Sequence, residues 1–256
     1  MLLTSPLSSP LKNPVRDVFS PAGSSQSLTA QVQALFAGGK VGGMWDMGDI
    51  ATLFQDTAGA TPVTAVTQPI GRVNDKSGLG NNATQSTAIN RPLYQVVSSY
   101  GCAQFDAVND ALLFPAITFG GAFNTFVAGK ATGATRGIHI WRPADAAGGW
   151  WALYQTADAL SPTGAGAGTP SYFINGSALS PVQRGQIYTQ INNVDSVMES
   201  IGVTLTVETA LQFSGYPAVP FVGNAHRVLM ISGTLTAGEK LLCRQWAAQG
   251  NGVTVV

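Results

Sequence analysis

Three glutamates stand in the 256-residue chain, Glu199, Glu208 and Glu239. Glycoside cleavage needs two carboxyl groups roughly 5–10 Å apart across the scissile bond. Glu239 follows Thr236 by three positions, the spacing of a helix capping box. Glu199 and Glu208 are nine residues apart, without the E-x-D-x-x-E spacing that would line acids along one strand. The two histidines serve acyl transfer no better. His139 lies between Ile138 and Ile140, where alternation puts it on the polar face of a strand, and His226 adjoins Arg227. Neither accompanies a Ser or Cys in a nucleophile motif, and there is no G-x-S-x-G. The pattern supports neither a triad nor a carboxylate pair, and a non-enzymatic protein is expected.

Hard-oxygen clusters raise the question of calcium. Asp106, Asn109 and Asp110 crowd one short stretch at a spacing that could hold Ca²⁺. Asp and Asn also close turns by accepting from their own backbone, and a turn is expected at this stretch. The same holds for Asp46, Asp49 and the loop from Asn74 to Asn82. No metal and no cofactor is expected. The GAGAG run, Gly164 to Gly168, lacks the GK[ST] ending of a phosphate loop and reads as a surface loop. Cys102 and Cys243 have no C-x-x-C or Cys/His spacing and read as two buried free thiols, with a structural disulfide between them as the alternative.

Aromatic side chains offer a different chemistry, the stacking of sugar C–H faces on flat rings beside amide groups. Trp150 and Trp151 are neighbours on one strand, so their side chains point to opposite faces and one lies outside the core. Trp150 shares its face with Ala152 and Tyr154, and Trp141 lies on the preceding strand. Trp141, Trp150 and Tyr154 are the candidate contact patch, for a glycan or for a protein partner.

These residues need a scaffold, and its class is legible. Segments such as AFNTFVAG, GIHIW, WWALYQ, SYFING, QIYTQI, GVTLTVE and RVLMISG are short, aromatic or β-branched, and separated by Gly, Pro and Asn. They predict an all-β sandwich or barrel. The clearest alternation is GVTLTVE, with Val203, Leu205 and Val207 on one face. Two short helices complete the domain. One is capped by Ser27 and stopped by Gly38-Gly39, the other is opened by the Thr236/Glu239 box and stopped at Gly250.

Residues 1–26 form a separate unit ahead of the domain at 27–256. Pro6, Pro10, Pro14 and Pro21 hold this arm extended, with a reach on the order of 80 Å. Leu7, Leu11, Val15, Val18 and Phe19 are spaced along it without helical or strand period, and are the residues expected to dock into a neighbouring subunit. Charged residues make up 10% of the chain and cancel to zero net charge, against roughly 25% in an average soluble protein. That leaves no basic field for nucleic acid and no polybasic patch for a membrane. It suits a protein that works inside an assembly. The longest uncharged run, Ala159 to Gln183, is broken by Pro162, Pro170 and Pro181, so no spanning helix is predicted. No secretory signal pattern opens the chain, and synthesis in the cytoplasm is expected.

Four stretches, in order, resemble the laminin-G-like, concanavalin A-like jelly-roll domains of tailed-bacteriophage structural proteins. The first runs from Met44 to Thr84, with its Trp45-Asp46 start, its LFQDTAGATPVTA middle and its DKSGLGNNAT turn. The second is QFDAVNDAL, Gln104 to Leu112, the third SYFINGSAL, and the fourth RVLMISGTLTAGEKLLCRQWAAQGNG. Ala107 and Asn109 stand where the pattern has Gly and Asp, and Leu79 and Asn82 where it has Asn and His.

The resemblance implies a jelly-roll sandwich in a phage virion, at the tail tip, baseplate or fibre. It implies anchorage to other virion proteins by the arm, self-association with a trimer favoured, and a lectin-like face turned to host-surface glycans. A capsid-surface decoration or head-fibre protein without ligand is the first alternative, and a glycan-cleaving enzyme on the same fold the second.

Overall fold

The architecture follows from which strand faces can be buried twice. The computed structural model describes residues 26–106, 108–132, 138–143, 150–153, 168–180, 182–204, 211–214 and 221–256. The arm residues 1–25, including Leu7, Leu11, Val15, Val18 and Phe19, lie outside the described residues, as does Tyr154.

In chain order the elements are α1 (Leu28–Ala37), β1 (Gly42–Asp46), β2 (Leu53–Phe54), β3 (Arg72–Val73), β4 (Ala83–Thr84), β5 (Leu93–Val97) and β6 (Tyr100–Asp106). Next come β7 (Ala111–Leu113), β8 (Phe123–Ala131), β9 (Ile138–Pro143), β10 (Trp150–Leu153), β11 (Ser171–Ile174) and β12 (Ser177–Ala178). The series closes with α2 (Arg184–Ile191), β13 (Ser196–Val203), β14 (Leu211–Ser214), β15 (Val222–Ser232) and α3 (Ala237–Ala248). The chain is mostly β, in two antiparallel sheets. One runs β12-β11-β13-β8-β15-β6-β5, with β1 also on β15, and the other runs β10-β9-β14-β7-β4-β3-β2.

The main core fills the space between the sheets. Phe105 meets Phe213 and Phe221 at ring-centroid distances of 5.2 and 5.6 Å, and Trp45 meets Phe114 edge-on at 4.3 Å. The first sheet is covered on its other face too, by α1 and α3. Val32, Phe36 and Trp246 pack there on Phe126, Ala128, Val197, Leu229 and Ile231. Successive strand residues point to opposite faces, so Met198 enters the inter-sheet core while Val197 enters the layer under the helices. Both faces of the central strands are therefore apolar.

This double covering explains two departures from the sequence pattern. The strand expected at GVTLTVE lies earlier: β13 spans Ser196–Val203 and Thr204 follows it, while Leu205 and Val207 lie outside the described residues. Its first five residues are all buried, so it carries no alternation to read. The helices number three among the described residues. QIYTQI, expected as a strand, is most of α2, because Ile187 and Ile191, four apart, share one helical face and enter the inter-sheet core. That packing overrides the β-preference of Ile, Tyr and Thr.

The other two helices begin where expected. Ser27 Oγ accepts from Ala30 N at 3.2 Å. Thr236 and Glu239 form both bonds of the capping box, at 2.7 and 3.2 Å. Among the described residues no helix is long and apolar enough to cross a membrane.

Candidate functional site

β15, the longest strand among the described residues, borders a polar recess. One of its edges pairs with β8 throughout, and the other is shared between two strands laid end to end. Val222–Ala225 pair with β6, from Asp106 back to Ala103, and Arg227–Ile231 pair with β1, from Asp46 back to Gly42. His226 falls between the two registers, and the β8 ladder slips at the same place, between Ala225 and Arg227. The end of β1 and the start of β6 thus meet at a bulge. Glycines allow the approach: a Cβ on Gly101 would stand 2.8 Å from Gly48 Cα and 2.9 Å from the Tyr94 hydroxyl.

His226 closes the fork from behind. It is buried, its main-chain oxygen accepts from Met47 N at 2.8 Å, and its Nδ1 lies 2.9 Å from Gly101 O. A carbonyl only accepts, so Nδ1 carries the proton. Nε2 has no hydrogen-bond partner among the described residues and lies 4.0 Å from Asp195 Oδ1, whose other oxygen holds Lys130 Nζ at 3.1 Å. Burial holds the His226 imidazole below its ordinary pKa, against the opposing pull of the Gly101 carbonyl and Asp195.

In front of the fork lies a groove of about 400 Å³, lined by Asp46, Asp49, Lys76, Tyr100, Arg227 and Gln249 among others. Its charges form an alternating chain. Arg227 Nε is 2.9 Å from Asp46 Oδ2, Lys76 Nζ is 3.6 Å from the same oxygen, and Lys76 Nζ is 2.7 Å from Asp49 Oδ2. Three of the four members are fixed from behind. Asp46 Oδ1 accepts from Gly48 N, and Asp49 Oδ1 accepts from Ala51 N. Arg227 Nη1 donates to Trp246 O at 2.6 Å and to Gln249 Oε1 at 3.3 Å, with the guanidinium over the Trp246 ring. Burial pulls the Asp49 carboxyl upward, but the Lys76 hydrogen bond and charge outweigh it and hold the pKa below its ordinary value.

The turn reading of Asp46 and Asp49 is therefore incomplete: both cap local backbone and both face the groove. For the neighbouring acids it describes the geometry well. Asp75 Oδ1 accepts from Met44 N and Ser77 N, and its Oδ2 from Asn81 N and Ser77 Oγ, so one carboxylate organises the whole 74–82 loop. Asp56 accepts from Gly59, Ala60 and Thr61 N, bonds that hold its pKa at about 2. Asp106 Oδ1 accepts from Val108 N, and Asp110 Oδ2 from Asp106 N. Burial, with the Asp106 charge added, pushes the Asp110 carboxyl up to about 6. Among the described residues no group of three His, Cys, Asp or Glu is placed to hold a metal ion.

Of the aromatic patch, Trp141 and Trp150 are direct register partners across β9 and β10, with Ala152 opposite His139. The pair lies at one end of the second sheet. Glu199 is fully buried and clamped by Arg244, and Glu208 lies outside the described residues. Cys102 and Cys243 are free and buried, and burial pushes both thiols up to about 12.

The groove escaped the sequence because its members come from positions 46–49, 76, 99–101, 227 and 249–250. Apart from the nearness of Asp46 to Asp49, their adjacency exists only through the tertiary fold: strand pairing for Asp46 and Arg227, the 74–82 loop for Lys76 and the end of α3 for Gln249. Fold and site together define a two-sheet antiparallel β-protein with a helical cover and a polar groove at a strand fork. No protein-family model, curated protein or solved structure matches the chain.

Proposed function

We propose that this chain is a non-enzymatic structural protein of a tailed-bacteriophage virion, in the tail tip, baseplate or fibre region. In this reading the domain is a concanavalin A-like jelly roll. Residues 1–26 anchor it to other virion proteins, self-association as a trimer is favoured, and the domain presents a face to host-surface glycans. The paired antiparallel sheets are compatible with that fold.

The observation that carries the reading is the disposition of the charges. Asp46 with Arg227, Lys76 with Asp49, Lys130 with Asp195, and Glu199 with Arg244 each join separate elements of the scaffold. Glu199, the best-buried acid among the described residues, is occupied by two arginine nitrogens and by Gly176 N. Such groups hold strands and helices together and present fixed polar edges, which is the chemistry of binding and assembly.

Deleting residues 1–26 tests the reading. The truncated chain should stay folded and fail to join the particle, as followed by protein content and cryo-electron microscopy of purified virions. Normal incorporation refutes arm anchorage, and density spread over the capsid shell replaces the tail assignment with a decoration role.

A further inference from the structure

We propose that the groove at the β1–β6 fork binds an uncharged polyhydroxylated ligand, one ring of a glycan. The inference rests on the glycan-attachment reading and moves the contact away from Trp141, Trp150 and Tyr154.

The charge chain Arg227, Asp46, Lys76, Asp49 is internally balanced. Signs alternate, contacts run from 2.7 to 3.6 Å, and the four charges sum to zero. An anion or a cation entering the groove has to break one of these pairs to gain its own. A hydroxyl group breaks none, since it accepts from an ammonium or amide N–H and donates to a second lone pair of a carboxylate already in place. Vicinal hydroxyls on a sugar ring meet such adjacent donor and acceptor edges two at a time.

Unused capacity is present where the ring would sit. Gln249 spends its carbonyl oxygen on Arg227, which turns its amide nitrogen to the role of donor. Asp49 holds Lys76 on one oxygen and is 38% exposed. Tyr100 adds an aromatic ring to the wall.

The polar groups are held before any ligand arrives, by Gly48 N, Ala51 N and Trp246 O. Little side-chain ordering therefore remains on binding. Ser99 supplies a further hydroxyl at the rim, from a backbone at φ +73°.

The test uses the full chain and methyl glycosides of glucose, galactose, mannose, N-acetylglucosamine and rhamnose. Binding is read by saturation-transfer NMR and calorimetric titration, with glycine as a zwitterionic control. At least one glycoside should bind, and Gln249→Ala and Asp49→Asn should each weaken it about tenfold or more. Thermal unfolding of both variants checks that the fold persists, and Gln249 is an exposed residue whose truncation leaves the core untouched.

Binding that survives both groove variants but is lost in Trp150→Ala overturns the groove assignment and leaves glycan attachment standing. Binding of glycine with no glycoside bound overturns the ligand class. No binding of any probe overturns the groove and the glycan-attachment reading together, while virion incorporation of the full chain is unaffected by that result.

Discussion

Arg244→Met should destabilise the domain more than any other single change on its helical cover, and its effect should depend on pH. Glu199 sits on β13 with 0% exposure. Arg244 reaches down from α3 to both its oxygens, Nε to Oε1 at 2.7 Å and Nη2 to Oε2 at 3.0 Å. Gly176 N adds a third bond at 3.1 Å. Burial pushes the Glu199 carboxyl above its ordinary pKa even with Arg244 opposing it. Removing Arg244 strands a buried charge, which costs about 3–5 kcal/mol. At roughly 2.1 cal/mol/K per residue, a 256-residue chain has an unfolding entropy of about 0.5 kcal/mol/K, so Tm should fall by about 6–10 °C.

The sign with pH follows from linkage. The folded pKa of Glu199 lies above the unfolded value and rises further in the variant, so the folded state binds the extra proton. Stability is then fullest below the unfolded value of 4.5 and is lost as pH rises through the folded pKa. Arg244→Met should accordingly be less damaged at pH 5 than at pH 8 in calorimetry or urea unfolding. Adding Glu199→Gln removes the charge, keeps an acceptor for Gly176 N, and should recover much of the loss at pH 8 while flattening the pH dependence. A single variant that loses under about 1 kcal/mol, or a double variant no better than the single, refutes the assignment of a buried, desolvated pair.

Three further outcomes are expected. His226 has a folded pKa below the unfolded 6.5, so stability is complete above that pH and falls as pH drops through the folded pKa. Urea unfolding between pH 7.5 and 5.5 should show this slope, and His226→Asn should reduce it. The two-residue connection between β5 and β6 places Ser98 and Ser99 at φ +51° and +73°, the positive values a type I′ hairpin needs. Ser98→Asn with Ser99→Gly should raise stability by about 1 kcal/mol, or about 2 °C, read by thermal melting. Cys102 and Cys243, both buried with thiol pKa values raised to about 12, should react with a thiol reagent at pH 8 only as fast as the domain opens. Rapid labelling of the native protein would contradict their burial.

The legible parts of the fold were those written in local chemistry. Ser27 and the Thr236/Glu239 pair announce helices because caps are short-range hydrogen bonds. AFNTFVAG and RVLMISG announce strands because their apolar runs are bounded by turn residues, although β15 begins five residues earlier, at Val222, in a stretch without such a run. Ser196–Ser200 stayed hidden because burial on both faces erases alternation. Arg184–Ile191 was misread because Ile187 and Ile191 carry strand preference, while the four-residue spacing that makes them a helical face acquires meaning only against the inter-sheet core. In the groove, Asp46 and Arg227 are 181 positions apart and become partners through one register of β1 on β15.

That register also explains why the polar recess lies where it does. Two strands that share one edge of a third must stop short of each other, and the ladder opens at the junction. Backbone groups in the opening still need partners. Met47 N finds one in His226 O and Gly101 O finds one in the imidazole, so the fork is sealed from within by the bulged residue. Outside the seal the side chains that flank the opening take what backbone is within reach, Asp46 at Gly48 N, Asp49 at Ala51 N and Arg227 at Trp246 O, and with Lys76 they balance one another's charge. The fold thus demands a neutral, pre-arranged polar cluster at this point before any ligand is considered. Binding at the fork uses groups whose ordering the scaffold has already imposed. A substitution that shifts the bulge, such as deletion of His226, should therefore weaken folding and glycoside binding together, whereas Gln249→Ala should weaken binding alone.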